Sequence, residues 1–359
     1  MTEAAVPDGP PAAPRPRVLH VVQKYSSGVG SAIAQYTRSL PEAEHHLLSG
    51  TAVDAEGDLA EQARFAGTHR MTGSPIAKIR RIRQVVEQVR PDVVHAHSSH
   101  GGAFARLALS RAHHYVVYTP HCYAFERRDI PWPVRAAYWS AEALLAANTS
   151  AFAACAQREW ELSAWPTRRA PRHVVPNVAP PSAPRAARGR SGPPLVVGGG
   201  RLSPQKDPAF FRTAVQELRR SSPELRATWL GDGDDAQRAE LEDAGVEVTG
   251  WLPRGDALTV LADATLYLHS ARWEGFPLMV AEAAAVGVPT LVRRLPSFAD
   301  VPDDLTVGER DVAAARACLD DPGTAAANVA GWAALLAENT VAGQRDALLT
   351  VYSGGVTTA

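Results

Sequence analysis

Twice along this chain, short apolar runs of strand length alternate with helical patterns, and a segment crowded with proline and arginine separates the two series. Such alternation builds parallel sheets, because parallel neighbours need a crossover helix between them. In the first series residues 17–22, 92–97 and 115–119 read as strands, with helices over 76–89 and 103–109. In the second, residues 195–197, 227–230, 246–248 and 264–269 read as strands, and 209–219 and 278–286 as helices. The pattern predicts an α/β chain of two Rossmann-like lobes facing a cleft. Residues 17–180 form the first lobe, 181–194 a linker and 195–335 the second lobe. A last helix within 336–359, its pattern already running from Val329 to Leu349, is long enough to return across the linker to the first lobe.

At 359 residues and 45% apolar content, the chain is long enough for two such cores. A net charge of −1 leaves no electrostatic footprint for nucleic acid. Residues 1–16, rich in proline and alanine, lack a basic start and an apolar stretch, so they are expected as a disordered tail and not a signal peptide. Cys122, Cys155 and Cys318 are scattered, which fits a reducing, cytoplasmic setting.

The stretch with most chemistry runs from Ser270 to Ala283. A strand leads in and an Ala-rich helix leads out; the turn holds Glu274, Gly275, Phe276, Pro277 and Leu278, and Glu282 follows inside the helix. Pro277 suits a helix start and Gly275 a close backbone approach. Exposed helix N–H groups bind anions, while two carboxylates accept hydrogen bonds from sugar or ribose hydroxyls. The same spacing also fits an Ala-rich helix with an ordinary N-terminal Glu.

Two glycine loops stand where α/β folds present phosphate sites. After the first strand comes a loop, residues 23–31, with Gly28 and Gly30 but without the third glycine of a dinucleotide fingerprint; a plain strand-to-helix turn fits it as well. After strand 195–197 comes Gly198-Gly199-Gly200 with Arg201 and Lys206, a fork of donors and a point charge suited to a diphosphate. Lysine is rare here: Lys24, Lys78 and Lys206 stand against many arginines.

His95 and His97 alternate on a strand whose following loop carries His100, and His121 follows the next strand. No acid adjoins them, so substrate contact by His100 and His121, or a core role, is favoured over a metal site. Helix 76–90 is basic and amphipathic, suiting either a solvated face or peripheral contact with an anionic membrane. Residues 126–145 join Arg127, Arg128, Trp132, Arg135 and Trp139, which fits a core, a lipid interface or a bulky acceptor.

Taken in order, Gly28-x-Gly30, His97 to Gly101, Thr119-Pro120-His121, Gly200 to Asp207, Gly231-Asp232-Gly233, Gly250 to Pro253 and Glu274 to Glu282 resemble retaining glycosyltransferases of family 4, with the GT-B fold. The Thr-Pro-His block is similar to the subset that builds bacterial surface polysaccharides on polyprenyl-diphosphate lipids. The resemblance implies a nucleotide-sugar donor, UDP- before GDP-, a sugar or lipid-linked acceptor, and no metal or other cofactor. By it, Arg201 and Lys206 hold the diphosphate, Glu282 the ribose, and Glu274 the transferred sugar, with backbone N–H groups of Phe276 to Leu278 assisting. Trp251 and Leu252 frame the base, Gly28 and Gly30 let the first lobe close on the phosphates, His121 contacts the sugar near the reacting carbon, and His100 lies on the acceptor side. In the front-face mechanism proposed for such enzymes, the departing phosphate oxygen takes the acceptor's proton.

Departures touch specificity: the family often has Lys at His100, Gly at Cys122 and Gly at Val178, and residues 293–300 lack a common glycine pair. Other expectations are a metal-dependent transferase bridging through Asp232-x-Asp234, a nucleotide-sugar-binding partner subunit without turnover, a natural-product glycosyltransferase, and an epimerase on the same fold.

Overall fold

A computed structural model of the chain describes residues 15–51, 63–179, 192–308 and 310–356. The expected tail and linker fall largely outside the described residues. Two all-parallel sheets carry the fold. The first contains β1 (Arg17–Val22), β2 (Glu44–Ser49), β3 (Gly67–Arg70), β4 (Val93–His97), β5 (Val116–Thr119), β6 (Ala151–Ala154) and β7 (Arg172–Val174), ordered β3-β2-β1-β4-β5-β6-β7. The second contains β8 (Leu195–Gly199), β9 (Arg226–Leu230), β10 (Glu247–Val248), β11 (Leu266–His269), β12 (Thr290–Arg293) and β13 (Thr306–Val307), ordered β10-β9-β8-β11-β12-β13. Helices cover both faces, and so the central strands are apolar or fully buried along their length rather than alternating.

Around the first sheet lie α1 (Ser27–Ser39), α2 (Pro75–Val89), α3 (Ser98–Ala108), α4 (Trp132–Ala146) and α5 (Gln157–Leu162). Around the second lie α6 (Pro208–Arg219), α7 (Asp235–Asp243), α8 (Arg254–Ala262), α9 (Leu278–Val286), α10 (Ala313–Asp320) and α11 (Pro322–Leu335). The apolar stripe of α6 is typical: Phe210, Phe211, Ala214, Val215 and Leu218 enter the core, and Asp207 caps its start by accepting from Phe210 N at 3.3 Å.

The helical pattern expected from Val329 to Leu349 is two helices. The first, α11, stays on the second lobe, where Trp332 Nε1 and Asn328 Nδ2 both donate to Thr290 O, at 2.7 and 3.0 Å. The second, α12 (Val341–Tyr352), starts at Thr340, whose side chain accepts from Gly343 N at 3.0 Å. It packs on the first lobe. Leu348, Val351 and Tyr352 join Val18, Tyr36, Val93 and Val117 in one apolar cluster, and Gln344 bridges Ser39 at 2.6 Å and Pro176 O at 2.7 Å.

Candidate active site

Open parallel sheets place ligand sites beyond the strand carboxyl ends, where the strand order reverses. In the second sheet that point lies between β8 and β11, so the turns after these strands must meet. Lys206 Nζ ion-pairs with Glu274, Ser270 Oγ donates to Lys206 O at 2.6 Å, and Gln205 Nε2 donates to Trp273 O at 3.1 Å. Gly200, at φ 124°, is needed here: a Cβ would sit 2.9 Å from the Lys206 stem. Glu274 is only 8% exposed, and His269 Nε2 lies 3.9 Å from its carboxylate. Burial, reinforced by the Lys206 charge, holds the His269 imidazole well below its ordinary range. Lys206 therefore faces Glu274 beside a neutral histidine.

A second group meets across the lobes. Glu282 is buried in the second turn of α9 and ion-pairs with Arg254, whose Nη1 also donates to Ser31 Oγ at 3.2 Å. Burial pushes the Glu282 carboxyl above the usual range, and Arg254 pulls it back. Arg201 Nη2 donates to Ser27 Oγ at 3.3 Å, with its guanidinium 5.4 Å from the Trp251 ring centroid. Ser27 and Ser31 are one turn apart on α1, so the start of this helix receives cations from both groups. No side chain caps α1 or α9, and a helix start presents backbone N–H groups and a positive dipole end, which suit an anion.

The seam between lobes is tight at Gly275. A Cβ there would lie 2.7 Å from Glu159 Oε1, 3.0 Å from Cys122 N and 3.0 Å from Cys155 Sγ. Glu159, fully buried, accepts from Cys122 N and from Cys155 N at 3.0 Å, tying the turn after β5 to that after β6. Burial raises the Glu159 carboxyl, and those amides oppose the rise. His121 and Cys122 have φ of 50° and 79°, a left-handed geometry costing on the order of 1–3 kcal/mol per residue without glycine. Asn177 adds a further clasp, Nδ2 donating to Phe276 O at 2.9 Å, while Val178 N donates to Gln35 Oε1 at 3.1 Å.

Lys206, Glu274, Arg201, Trp251 and Glu282 thus converge on the facing ends of the two sheets, with Gly275 to Leu278 and His121 at the seam. Two expected local placements are corrected. Gly28 and Gly30 lie in the first turn of α1, not in a loop, because the helix starts at Ser27. His100 lies in the first turn of α3 and is exposed, without a hydrogen bond or ring contact among the described residues. Glu282 is engaged by Arg254, which sequence reasoning missed. A cation at the first position of α8 works against the helix dipole, and that was the available signal. Asp232 is held by Arg238 at 2.5 Å, and Asp234 caps α7, accepting from Gln237 N at 3.0 Å.

The family model "Glycosyl transferase 4-like domain" matches residues 27–178, and "Glycosyl transferases group 1" matches residues 193–321. Among curated relatives, an uncharacterized 41.2 kDa protein in the cps region of Klebsiella pneumoniae is 23% identical over 81% of this chain and 84% of its own length. The UDP-Gal:alpha-D-GlcNAc-diphosphoundecaprenol alpha-1,3-galactosyltransferase of Escherichia coli is 26% identical over 59% of this chain and 60% of its own length. Among solved structures, sucrose-phosphate synthase from Thermosynechococcus elongatus superposes with a TM-score of 0.76 at 14% identity, covering 96% of this chain and 100% of that one. Anabaena HepE in complex with UDP and glucose gives 0.75 at 14%, covering 94% and 99%.

Proposed function

Since the chain belongs to the group 1 glycosyltransferases and has their GT-B fold, we propose that it moves a sugar from a UDP-sugar to a polyprenyl-linked glycan, with retention and without a metal. The observation that carries this reading is the meeting of Arg201, Lys206, Glu274 and Glu282 at the facing sheet ends, next to the uncapped start of α1. Two cations and helix N–H groups suit a diphosphate; two buried acids suit hydroxyls. HepE, bound to UDP and glucose, and the galactosyltransferase, named for a UDP donor and a diphosphoundecaprenol acceptor, support the choice of donor and acceptor.

In the proposed step the bond from the sugar's anomeric carbon to the phosphate oxygen breaks, and a bond to the acceptor oxygen forms on the same face. The acceptor's proton goes to the departing phosphate oxygen. Lys206 and Arg201 stabilise the negative charge that develops there, and Glu274 orients the sugar. The charge neutralisation a divalent ion would supply comes from these cations, while Asp232 and Asp234 are engaged elsewhere.

A membrane-facing side is part of this reading. Trp132 is 75% exposed and Trp139 46%, two turns apart on one face of α4. In α2, by contrast, Arg81 donates to Arg70 O at 3.2 Å and Arg83 to Ala108 O at 2.7 Å, so these arginines hold the lobe together. A panel of UDP-, GDP-, ADP- and TDP-sugars, read by thermal shift and then by nucleotide release with and without EDTA, tests donor and metal. A shift with GDP alone, or activity lost in EDTA, overturns the respective claim. Flotation with anionic liposomes should fall for Trp132→Ser with Trp139→Ser; unchanged flotation removes α4 as the lipid face.

A further inference from the structure

The first lobe buries a file of imidazoles that the donor site leaves unused. His45 Nε2 lies 2.9 Å from Leu40 O, and His45 Nδ1 lies 3.0 Å from His20 Nε2. His20 Nδ1 lies 3.0 Å from His97 Nε2, and His97 Nδ1 3.1 Å from His121 Nε2. Four rings are joined end to end, from β2 through β1 and β4 to the turn after β5, which forms the seam at Gly275.

The direction of this file is set at its far end. A carbonyl oxygen only accepts, so Leu40 places the His45 proton on Nε2 and leaves Nδ1 as an acceptor. His20 must then donate from Nε2, and the same step repeats through His97 to His121. His121 ends with its proton on Nε2 and a lone pair on Nδ1. That nitrogen has no hydrogen-bond partner among the described residues and is not one of the polar atoms sealed from solvent. Burial lowers His45, holds His20 and His97 well below their ordinary range and brings His121 down to about 4, so each ring keeps one donor and one acceptor at neutral pH.

We propose that this histidine file is a positioning relay, presenting His121 Nδ1 as a fixed hydrogen-bond acceptor for a hydroxyl of the sugar at the transfer site. An isolated imidazole would exchange between two tautomers and a cation. Only the identity of the hydroxyl rests on the glycosyl-transfer reading; the tautomers belong to the free protein. His20, His95 and His97 also bring ring nitrogens within 4.8 Å of one another, as a metal site would. Here His20 and His97 share a proton, and His95 is occupied on both sides, by Tyr352 Oη and Thr119 Oγ1, each at 2.7 Å. A bound metal would break the relay.

Long-range proton–nitrogen NMR of the imidazoles in the full-length, ligand-free protein at neutral pH should find His45, His20, His97 and His121 neutral, with the proton on Nε2. His45→Leu removes the remote acceptor without touching the seam. It should mix the His121 tautomers and lower kcat/KM by about two- to tenfold, the worth of one hydrogen bond. His45→Asn, whose amide oxygen can accept where Nδ1 did, should restore both. A His121 proton on Nδ1, a charged His121, or stoichiometric zinc lost in His20→Asn overturns the relay. Redistributed tautomers with unchanged kcat/KM overturn its positioning role. If His45→Leu does not fold, the unmodified protein's spectrum decides. Relay tautomers in a protein that turns over no nucleotide-sugar would leave the assignment standing and refute the transfer reading instead.

Discussion

Lys206→Ala tests the donor site most directly. The ammonium it removes is 23% exposed and paired with Glu274, itself 9% exposed on the side chain, so two separate effects follow. A charge-assisted hydrogen bond to the donor's phosphate is worth about 1.5–3 kcal/mol, which predicts a fall in kcat/KM of roughly 10- to 150-fold. Removing one partner of a buried pair also costs stability, about 3–5 kcal/mol for full burial. The partly exposed lysine reduces this to about 1–3 kcal/mol, and at roughly 2–4 °C per kcal/mol the Tm should drop by several degrees. Adding Glu274→Gln separates the two effects. The double variant removes the unpaired charge, so its Tm should recover while turnover stays low. The assay is nucleotide release under saturating and limiting donor, with melting followed in parallel. Folded Lys206→Ala with kcat/KM within about threefold of the parent would refute the diphosphate role.

Gly275→Ala should slow transfer about tenfold, because its Cβ would press on Glu159 and Cys122 across the seam and push the lobes apart by tenths of an ångström; parental kcat would show that closure does not depend on this contact. Arg254→Ala leaves Glu282 buried without its ion-pair partner and should cost about 2–4 kcal/mol, read as a lower Tm that Glu282→Gln partly restores; an unchanged Tm refutes the pairing. His20, His95, His97 and His269 have lowered affinities from burial, so the unfolded chain binds protons first as pH falls below 6.5. Stability should be level above that pH and fall below it, by up to about 1.4 kcal/mol per pH unit for each histidine, partly offset by the raised carboxyls of Glu159 and Glu282. A Tm unchanged down to about pH 5 contradicts neutral burial.

Much of this protein was legible before any coordinates. Strand and helix periods are local, and strands buried on both faces declare themselves as apolar runs, so the two α/β series could be read directly. The Arg201 and Lys206 loop and the Glu274 to Glu282 turn were legible too, because a cation beside glycines and an acid beside a helix start are short-range patterns. Other features depended on where distant strand ends came to rest. Whether α1 begins at Ser27 or beyond Gly30, and where the pattern after Val329 breaks, turned on weak caps that packing decides. Arg254 reaches Glu282 across 28 residues, and Asn177 reaches Phe276 across 99. The proton position on His121 is the clearest case. Tautomers are chosen by whichever atoms face the ring, and here that choice starts at the Leu40 carbonyl, on the far side of a sheet whose strand order no local pattern contains.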